Sequence, residues 1–384
     1  MPTLPGGSST LRLSGIREIR LLAASMTDVI DLAVGEPDQN TPEAICEAAA
    51  RATRAGFTKY TPANGLPSLR ASLAEKLKRD NAIVADPSQI TVGSGAVCSL
   101  STSILATVAP GDEILVPDPG WPNYATMIRL AGGDAVRYPL SPADGFLPDV
   151  AQLEKLVSPR TRVLMINNPG NPTGAVFPPD LVRELVEFAA EYDLFLLSDE
   201  VYEDFVYEGA HAPAASFGYE EGIISVFSFS KSYAMTGWRL GYSVAARDVA
   251  SAITKVQGGL LSCASTVSQK AGEAALALDP SARAAMREEY RTRRDAVHAE
   301  LGDRLVLVPQ GAFYALVDVS DEPAGSTEVA RNLLAREHVA AVPGSAFGTR
   351  SEGMLRISFA AALDDVVEGC RRIARHLVRE ELGG

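Results

Sequence analysis

The chain has 384 residues, with 46% hydrophobic and 22% charged residues, which predicts a globular protein of two or three domains with a large core. Its net charge of −13 argues against a nucleic-acid partner, because nucleic-acid-binding proteins present basic patches. No apolar run reaches the ~18 residues that a membrane span requires, and no apolar signal-peptide segment begins the chain. We therefore expect neither a nucleic acid nor a membrane as partner.

In chain order, residues 1–10 are rich in proline, glycine, serine and threonine, and we expect them to be disordered. A short strand is predicted in IDLAVGEPD (30–38), and helices are predicted at 41–56 and 66–81. Apolar strands and helices then alternate: strands in QITVGS, EILVPDP, TRVLMINNP, LFLLSDEVY, IISVFSFS and GYSVA, and helices in GAVCSLSTSILATVA, WPNYATMIRLAG and PPDLVRELVEFAAEYD. This alternation predicts an α/β fold with a mostly parallel sheet covered on both faces.

The pattern changes after a long charged helix predicted at 278–302. The segments RLVLVPQGAFYALVDV and MLRISFA beyond it predict strands of a smaller α+β unit. We therefore place a large domain at 46–280. A small domain would combine residues 281–384 with the N-terminal segment 11–45.

The cysteines and histidines show no clustered spacing. No two cysteines form a CxxC pair, so we expect free thiols in a reducing cytoplasm. The histidines lack metal-ligand spacing, and we expect no metal site. These residues are Cys46, Cys98, Cys263 and Cys370, and His211, His298, His338 and His376.

Residues beyond the carboxyl ends of the strands are the candidates for a functional site, because active sites of open α/β sheets lie there. The run Ser94, Gly95 and Ala96 opens a helix whose backbone N–H groups could bind phosphate, although such turns are common. Trp121 could stack on a flat ring or simply pack at a domain edge. In NNPGNPTG (167–174), two Asn-Pro steps and two glycines demand a fixed turn, which favours a functional amide at Asn171.

Asp199 and Lys231 end two buried strands. An aspartate in that position is costly to ionise without a cationic partner, although Asp199 could also cap the next segment, and Tyr202 can reach the same side. Lys231 has no charged residue within seven positions, so either its pKa is depressed for nucleophilic use or it ends a strand in solvent. Ser228 and Arg239 flank it.

Together these residues offer a phosphate cradle, a stacking aromatic, an amide, an acid, a phenol, an amine and an arginine on one sheet edge. That set matches one ligand, pyridoxal 5'-phosphate, in which the acid keeps the pyridine nitrogen protonated.

The chain resembles the class I/II aminotransferases of pyridoxal-phosphate fold type I from IDLAVGEPD to the C-terminus. The motifs that carry the resemblance are KYTPANGLPSLR, NNPGNPTG, SDEVYEDF, SFSKSYAMTGWRLGY, GAFY and MLRISFA. The resemblance implies an enzyme that moves the amino group of an α-amino acid to a 2-oxo acid through a Lys231 Schiff base. It also implies a mostly parallel seven-stranded sheet in a large cofactor-binding domain and a smaller α+β domain.

The same resemblance implies a role for each site residue. Asp199 would pair with the pyridine nitrogen, Tyr202 and Asn171 would contact the ring oxygen, and Trp121 would stack on the ring. The phosphate would be bound by Ser94, Gly95, Ala96, Ser228 and Arg239. Tyr60 would reach the phosphate of the neighbouring subunit, because family members are homodimers with shared sites. The substrate α-carboxylate would pair with Arg356, helped by Asn171, Trp121 and the backbone at Gly35.

Two alternatives stay open at this point. The first keeps the cofactor but breaks another bond, as a lyase, a decarboxylase or an amino-acid cyclase does. The second is a non-catalytic regulator that senses the cofactor, although such regulators carry a basic DNA-binding domain and this chain shows none. Substrate choice is not readable from the sequence. A dicarboxylate would need a second cation near its side chain, for which Arg12, Arg17, Arg20 and Arg129 are candidates, and the segment around Ile16 should cover the site.

Overall fold

The computed structural model describes residues 15–383, with side chains as far as residue 378. The expected disorder of residues 1–10 and the start of the segment 11–45 lie outside the described residues. Within the described part of the chain, no helix is long and apolar enough to cross a membrane.

The chain forms twelve strands among these residues. They are β1 Ile30–Asp31, β2 Ile90–Gly93, β3 Glu113–Asp118, β4 Asp134–Pro139, β5 Thr161–Asn167, β6 Phe195–Asp199, β7 Ile223–Ser228, β8 Gly241–Ala245, β9 Tyr314–Asp318, β10 Val339–Ala340, β11 Val342–Pro343 and β12 Met354–Ser358. The helices are α1 Gly15–Ala23, α2 Glu43–Arg54, α3 Pro67–Asn81, α4 Ala96–Thr107, α5 Asn123–Leu130, α6 Val150–Glu154, α7 Pro179–Glu191, α8 Phe229–Ser232, α9 Arg247–Leu261, α10 Thr266–Leu276, α11 Pro280–Leu301, α12 Gly325–Glu337 and α13 Leu363–Gly383.

Several helices begin where a proline stands. Pro67, Pro179 and Pro280 each occupy the first turn, where a missing N–H costs nothing and the fixed φ suits the helix. At α11 the carboxylate of Asp279 also accepts a hydrogen bond from the backbone N–H of Ser281 at 2.8 Å. Proline therefore fixes the starts of these helices locally.

Seven strands form the central sheet in the order β2-β8-β7-β6-β5-β3-β4. All pairs are parallel except the two made by β8, which runs antiparallel to both β2 and β7. The predicted α/β fold with a mostly parallel seven-stranded sheet is confirmed.

The reversed direction of β8 positions one candidate residue. Gly241, the first residue of β8, pairs with Gly93 on one side and Ser228 on the other, which are the last residues of β2 and β7. Arg239, two residues before β8, consequently lies at the same edge as the carboxyl ends of the parallel strands. An arginine that precedes a strand thereby joins residues that follow strands.

Both faces of the sheet are buried. On one face, Leu164 and Leu196 pack against Leu185 of α7. On the other face, Met165 and Leu197 belong to an apolar cluster that includes residues of α4 and α9. Neighbouring residues of β5 and β6 thus enter opposite cores, which explains why these strands are continuously apolar in sequence.

The smaller unit is built on an antiparallel sheet in the order β11-β12-β9. The N-terminal segment joins it where β1 pairs in parallel with β10 and where Ile19 of α1, 2% exposed, enters the same core as Val342. The domain boundaries proposed from the sequence stay a prediction.

Some local predictions differ from the structure. The strand predicted in IISVFSFS ends at Ser228, and Lys231 lies in a single helical turn, Phe229–Ser232, in which the Ser228 hydroxyl accepts a hydrogen bond from the backbone N–H of Ser230. Only Tyr314–Asp318 of the segment predicted as a long strand after the charged helix is a named strand. The sequence reading also assigned no element to α9, α10, α12 or β4.

Candidate active site

A cavity of about 300 Å³ opens at the carboxyl edge of the central sheet, between that sheet, the small antiparallel sheet and the N-terminal segment. It is lined by most of the site residues predicted from the sequence: Gly35, Ala96, Trp121, Asn171, Asp199, Tyr202, Ser228, Lys231, Arg239 and Arg356. The fold therefore brings together residues that are up to about 320 positions apart in the sequence.

Lys231 presents its amine to this cavity. Its Nζ atom donates a hydrogen bond to the backbone carbonyl of Gly35, which belongs to the N-terminal segment, at 2.6 Å. Burial lowers the pKa of Lys231 to about 8, because desolvation disfavours the ammonium, while Glu36 acts in the opposite direction. At pH 7 about a tenth of this amine is therefore unprotonated, far more than for a lysine in water.

Asp199 ends β6 with its carboxylate buried, 3% exposed. Tyr124 donates a hydrogen bond from its hydroxyl to Asp199 Oδ2 at 2.6 Å, and the backbone N–H of Val201 lies 3.4 Å from Oδ1. Burial raises the pKa of Asp199 to about 6, and the two hydrogen bonds limit the rise. A cation placed in the cavity would stabilise the ionised form.

A chain of polar contacts connects three further residues. The hydroxyls of Tyr202 and Tyr314 are 2.9 Å apart, and Asn171 directs its Nδ2 toward the Tyr202 hydroxyl at 3.5 Å. Burial raises the pKa of Tyr202 well above its ordinary value, and the neighbouring Tyr314 adds to the rise. Both phenols therefore remain neutral and can act as hydrogen-bond donors.

The start of α4 meets Arg239. Gly95 has a φ of +84°, and a Cβ built there would lie 2.6 Å from Arg239 Nη2, so any side chain would displace the guanidinium. Arg239 Nη1 donates to the carbonyl of Thr236 at 2.9 Å. Helix N-termini and guanidinium groups both attract anions, and the Ser228 hydroxyl lines the same cavity, so this group of residues is suited to hold an anion.

Arg356 of β12 enters the cavity from the small sheet. It is 2% exposed and stacks on the Tyr314 ring, with Cζ 4.6 Å from the ring centre. Nη2 donates to the backbone carbonyl of Ala33, whereas Nε is buried without a hydrogen-bond partner among the described residues. Donor capacity thus remains for an anionic group of a substrate.

Three predicted site residues do not line the cavity. Ser94 and Gly95 lie just before α4, behind Ala96, and Tyr60 is 88% exposed on the surface. Of the candidate cations for a substrate side chain, Arg20 lines the cavity, whereas Arg17 and Arg129 line a different cleft. Arg12 lies outside the described residues.

A family model described as aminotransferase class I and II matches residues 27–376. The chain belongs to the class I and II aminotransferases. It is 37% identical to the aspartate aminotransferase of Pyrococcus horikoshii over 97% of this chain and 96% of that protein. It is 39% identical to the aromatic-amino-acid aminotransferase 2 of Thermococcus litoralis over 96% of this chain and 97% of that protein.

A solved structure gives the same result. The aspartate aminotransferase of Thermus thermophilus with maleate superposes with a TM-score of 0.92 at 36% identity, covering 98% of this chain and 100% of that one. The present protein is therefore a pyridoxal-phosphate-dependent aminotransferase of fold type I. Its substrates are amino acids and 2-oxo acids. The predictions of family, fold, activity and cofactor made from the sequence are confirmed.

The residues of this aminotransferase fit the cofactor. The buried amine of Lys231 suits its aldehyde, the carboxylate of Asp199 suits its pyridinium, and the anion site at Gly95 and Arg239 suits its phosphate. Asn171 Oδ1 is buried without a hydrogen-bond partner in the described structure, as expected for an amide that completes its contacts with a ligand.

Sequence reasoning assigned no role to Tyr124 or Tyr314 of the aminotransferase. Tyr124 lies in the helix predicted at WPNYATMIRLAG, and its position as the second residue of α5 gave no indication that it would reach Asp199. Tyr314 was part of the motif GAFY, but its contact with Tyr202 depends on how the small sheet docks. These partners follow from tertiary packing and carry no separate sequence signal.

Proposed function

We propose that this aminotransferase binds pyridoxal phosphate covalently through Lys231 and catalyses both half-reactions of transamination in the cavity described above. The observation that supports this proposal most is the pairing of a buried amine, whose pKa is lowered to about 8, with a buried carboxylate in one cavity. Bound pyridoxal phosphate supplies an aldehyde that condenses with amines and a ring that withdraws electrons from the substrate Cα.

We assign the cofactor contacts as the family resemblance implies. Asp199 holds the proton of the pyridine nitrogen, and the hydrogen bond from Tyr124 keeps its carboxylate oriented. Asn171 and Tyr202 hold the ring oxygen, and Trp121 covers the ring. The phosphate is bound by Ser94, Gly95, Ala96, Ser228 and Arg239.

Lys231 and Arg356 act on the substrate. The two nitrogens of the Arg356 guanidinium bind the α-carboxylate, with the backbone of Gly35 and Asn171 beside it. The carboxylate then fixes which bond at Cα is broken. Unprotonated Lys231 Nζ accepts the proton that leaves Cα, and the protonated amine returns it when the second oxo acid reacts.

A single-turnover screen tests this function. Holoenzyme mixed with one amino acid should lose its cofactor absorbance and release one equivalent of 2-oxo acid, and a second oxo acid should restore the absorbance. Catalytic release of ammonia and oxo acid without an acceptor would contradict transamination and would identify a lyase. Loss of carbon dioxide would likewise identify a decarboxylase.

We further propose a homodimer in which Tyr60 binds the phosphate of the partner site. The exposure of Tyr60, 88%, and its absence from the cavity lining of its own chain support this proposal. Phe57, Leu260 and Leu261 are also exposed apolar residues. A protein interface would shield such residues from water.

Mixing two inactive variants tests the shared site. In a heterodimer of Tyr60→Ala with Lys231→Ala chains, one site carries both lesions and the other carries neither, so activity should return after subunit exchange. The control pair is Asp199→Asn with Lys231→Ala. Both residues belong to the site of their own chain, so each site of this heterodimer carries one lesion and activity should not return. If exchange is demonstrated and only background activity is found with the first pair, Tyr60 acts within its own chain.

We also propose a cytoplasmic location. All four cysteines are free thiols in the structure, which suits a reducing compartment. Alkylation of intact cells followed by mass spectrometry would test this, because oxidised cysteines would resist modification.

A further inference from the structure

Two segments from different sheets meet beside the active-site cavity, and the roles assigned above do not involve the contact between them. Asp118 is the last residue of β3 in the central sheet, three positions before Trp121. The second segment is 344–353, which joins β11 to β12 in the small antiparallel sheet. Their contact therefore connects the two parts of the chain that form opposite walls of the cavity.

Both carboxylate oxygens of Asp118 accept hydrogen bonds from this segment. Oδ2 accepts from the Thr349 hydroxyl at 2.9 Å and from the Thr349 backbone N–H at 3.2 Å, and Oδ1 accepts from the backbone N–H of Arg350 at 3.2 Å. The guanidinium of Arg137 lies 3.9 Å from Oδ2. Asp118 is 4% exposed, and a carboxylate buried to that degree requires such partners. The segment 344–353 is therefore held to the end of β3 by charge-assisted hydrogen bonds.

Glycines allow the close approach of the two segments. A Cβ built on Gly348 would lie 1.9 Å from Asp118 Oδ1, and the φ of Gly348, +142°, is one that other residues rarely adopt. Next to this contact, the backbone N–H of Gly120 donates a hydrogen bond to the carbonyl of Phe347 at 2.9 Å. The position of segment 344–353 on β3 is thus specified by shape as well as by charge.

Each side of the contact leads to a residue with a role in the proposed function. On the side of the central sheet, Trp121 lines the cavity, where it would cover the cofactor ring. On the side of the small sheet, the buried ring of Phe347 lies against Arg356, with its centre 4.9 Å from Cζ. The placement of Arg356 relative to the cofactor site therefore depends on how segment 344–353 docks on Asp118.

We propose that Asp118 is a positioning residue, which holds segment 344–353 against β3 and thereby sets where Arg356 stands relative to the cofactor site. The inference rests on the proposed function for one point, which is that Arg356 binds the α-carboxylate of the substrate. A misplacement of about 1 Å can lower a rate about a hundredfold. Loss of the contact should therefore weaken productive binding of amino acids, while the contacts of Asp199 and Lys231 with the cofactor persist.

Two substitutions break the contact from opposite sides. In Asp118→Asn, the NH₂ group faces an N–H donor of the segment whichever way the amide turns, because both carboxylate oxygens accept hydrogen bonds. In Gly348→Ala, the new Cβ displaces the carboxylate but leaves its charge. Asp112→Asn is the matched control, because Asp112 lies just before the same strand at its other end and accepts a hydrogen bond at 2.8 Å from the N–H of its neighbour Ala109.

The first measurement does not depend on activity. Hydrogen exchange of the holoenzyme, followed by mass spectrometry, should accelerate at least about tenfold in 344–353 with Asp118→Asn or Gly348→Ala, because each lost hydrogen bond to a charged group shifts local opening by about that factor. Thr349→Val, which removes only the hydroxyl donor, should accelerate it less and replaces Gly348→Ala if that variant does not fold. Asp112→Asn should leave exchange in this segment unchanged. Unchanged exchange with Asp118→Asn would overturn the proposal.

The second measurement is turnover of the amino acid that reacts fastest in the single-turnover screen. Asp118→Asn should lower its kcat/KM about ten- to hundredfold, mainly by raising KM, and should change the Kd of pyridoxal phosphate less than about twofold. Asp112→Asn should change neither value by more than about twofold. In an Arg356→Lys background, Asp118→Asn should have little further effect, because residues that act through one another are not additive.

These results separate the inference from the function on which it rests. Equal losses of substrate and cofactor affinity with Asp118→Asn, or a full further loss in the Arg356→Lys background, would overturn the inference. A loss of kcat/KM with Arg356→Lys but none with Asp118→Asn would overturn the inference alone. An unchanged kcat/KM with Arg356→Lys would refute the carboxylate role of Arg356 in the proposed function, and the inference would fall with it.

Discussion

Replacing Asp199 by asparagine should stabilise the cofactor-free protein while it removes activity. Burial raises the pKa of this carboxyl from 3.8 to about 6, so the folded state disfavours the ionised form that the unfolded chain accepts. At 1.36 kcal/mol for each tenfold change, that difference corresponds to about 3 kcal/mol. Asparagine cannot ionise and removes this cost.

The sign of the pH dependence follows from the raised pKa. Below pH 3.8 the carboxyl is protonated in both the folded and the unfolded protein, so it does not change the free energy of unfolding. As pH rises from there through about 6, the carboxyl increasingly destabilises the folded protein. The gain from Asp199→Asn should therefore be about 1.6 kcal/mol at pH 5 and reach about 3 kcal/mol at pH 8. The amide oxygen can still accept from Tyr124, but the weak contact with the Val201 N–H is lost, so these values are upper bounds.

Urea unfolding of the cofactor-free protein at pH 5, 6 and 8 and matched concentration would measure this gain. The exposed Asp144→Asn removes a charge of the same kind from the surface and should show no comparable pH-dependent gain. With cofactor present, Asp199→Asn should lower kcat by several orders of magnitude, because a neutral ring is a poor electron acceptor. A variant less stable than the original protein at pH 8, or a difference independent of pH, would refute the reasoning.

Four further outcomes are expected. Lys231→Ala should abolish turnover but still bind pyridoxal phosphate non-covalently, so a titration should show binding while mass spectrometry after borohydride reduction finds no covalent adduct; near-normal kcat would exclude the assignment. Arg356→Lys should weaken substrate far more than cofactor, because a point charge replaces a planar fork; equal weakening in titrations of both would indicate a structural role. Covalent attachment of the cofactor should accelerate with pH and level off above about 8, where Lys231 is unprotonated, and a stopped-flow rate that is flat from pH 6 to 9 would contradict this. Tyr124→Phe removes a hydrogen bond that lowers the pKa of Asp199, so cofactor affinity should fall more at pH 6 than at pH 8; an equal fall would mean that Tyr124 acts only by packing.

The sequence grouped most of the predicted residues that line the cavity, because the fold places strand ends at one edge. Asn171, Asp199 and Lys231 each follow a recognisable apolar strand, and parallel strands of one sheet must bring those ends together. Nothing but local pattern and this topological rule was needed to group them. Arg239 joined the group through the motif around Lys231, although the reason, the reversed β8, is visible only in the structure.

Contacts made between units could not be derived in the same way. Tyr314 reaches Tyr202, and its hydroxyl lies 1.8 Å from where a Cβ on Gly35 would be, so three distant segments meet at one point. Tyr124 reaches Asp199 because of the direction in which α5 leaves β3. Likewise, of the arginines considered for a substrate side chain, only the docking of α1 separates Arg20 from Arg17. Which of these residues contact each other or line the cavity depends on how the helices and sheets pack. The local periodicity of the sequence gives no information about that packing.

The position of β8 has a consequence for how the enzyme is made. Among the described strands, β2 lies at the edge of the sheet with β8 as its only neighbour, and β8 is translated about 150 residues later. Until the ribosome has released Gly241–Ala245, the segment Ile90–Gly93 has no strand to pair with, and the glycine turn before α4 cannot be set beside Arg239. A nascent chain could complete Asp199 and its neighbouring strands well before this point, since those pairs are closer in sequence. The glycine turn before α4 and Arg239, which would hold the phosphate, should therefore be the last part of the central sheet to form. A growing polypeptide should begin to retain the cofactor only after roughly two thirds of the chain has been synthesised.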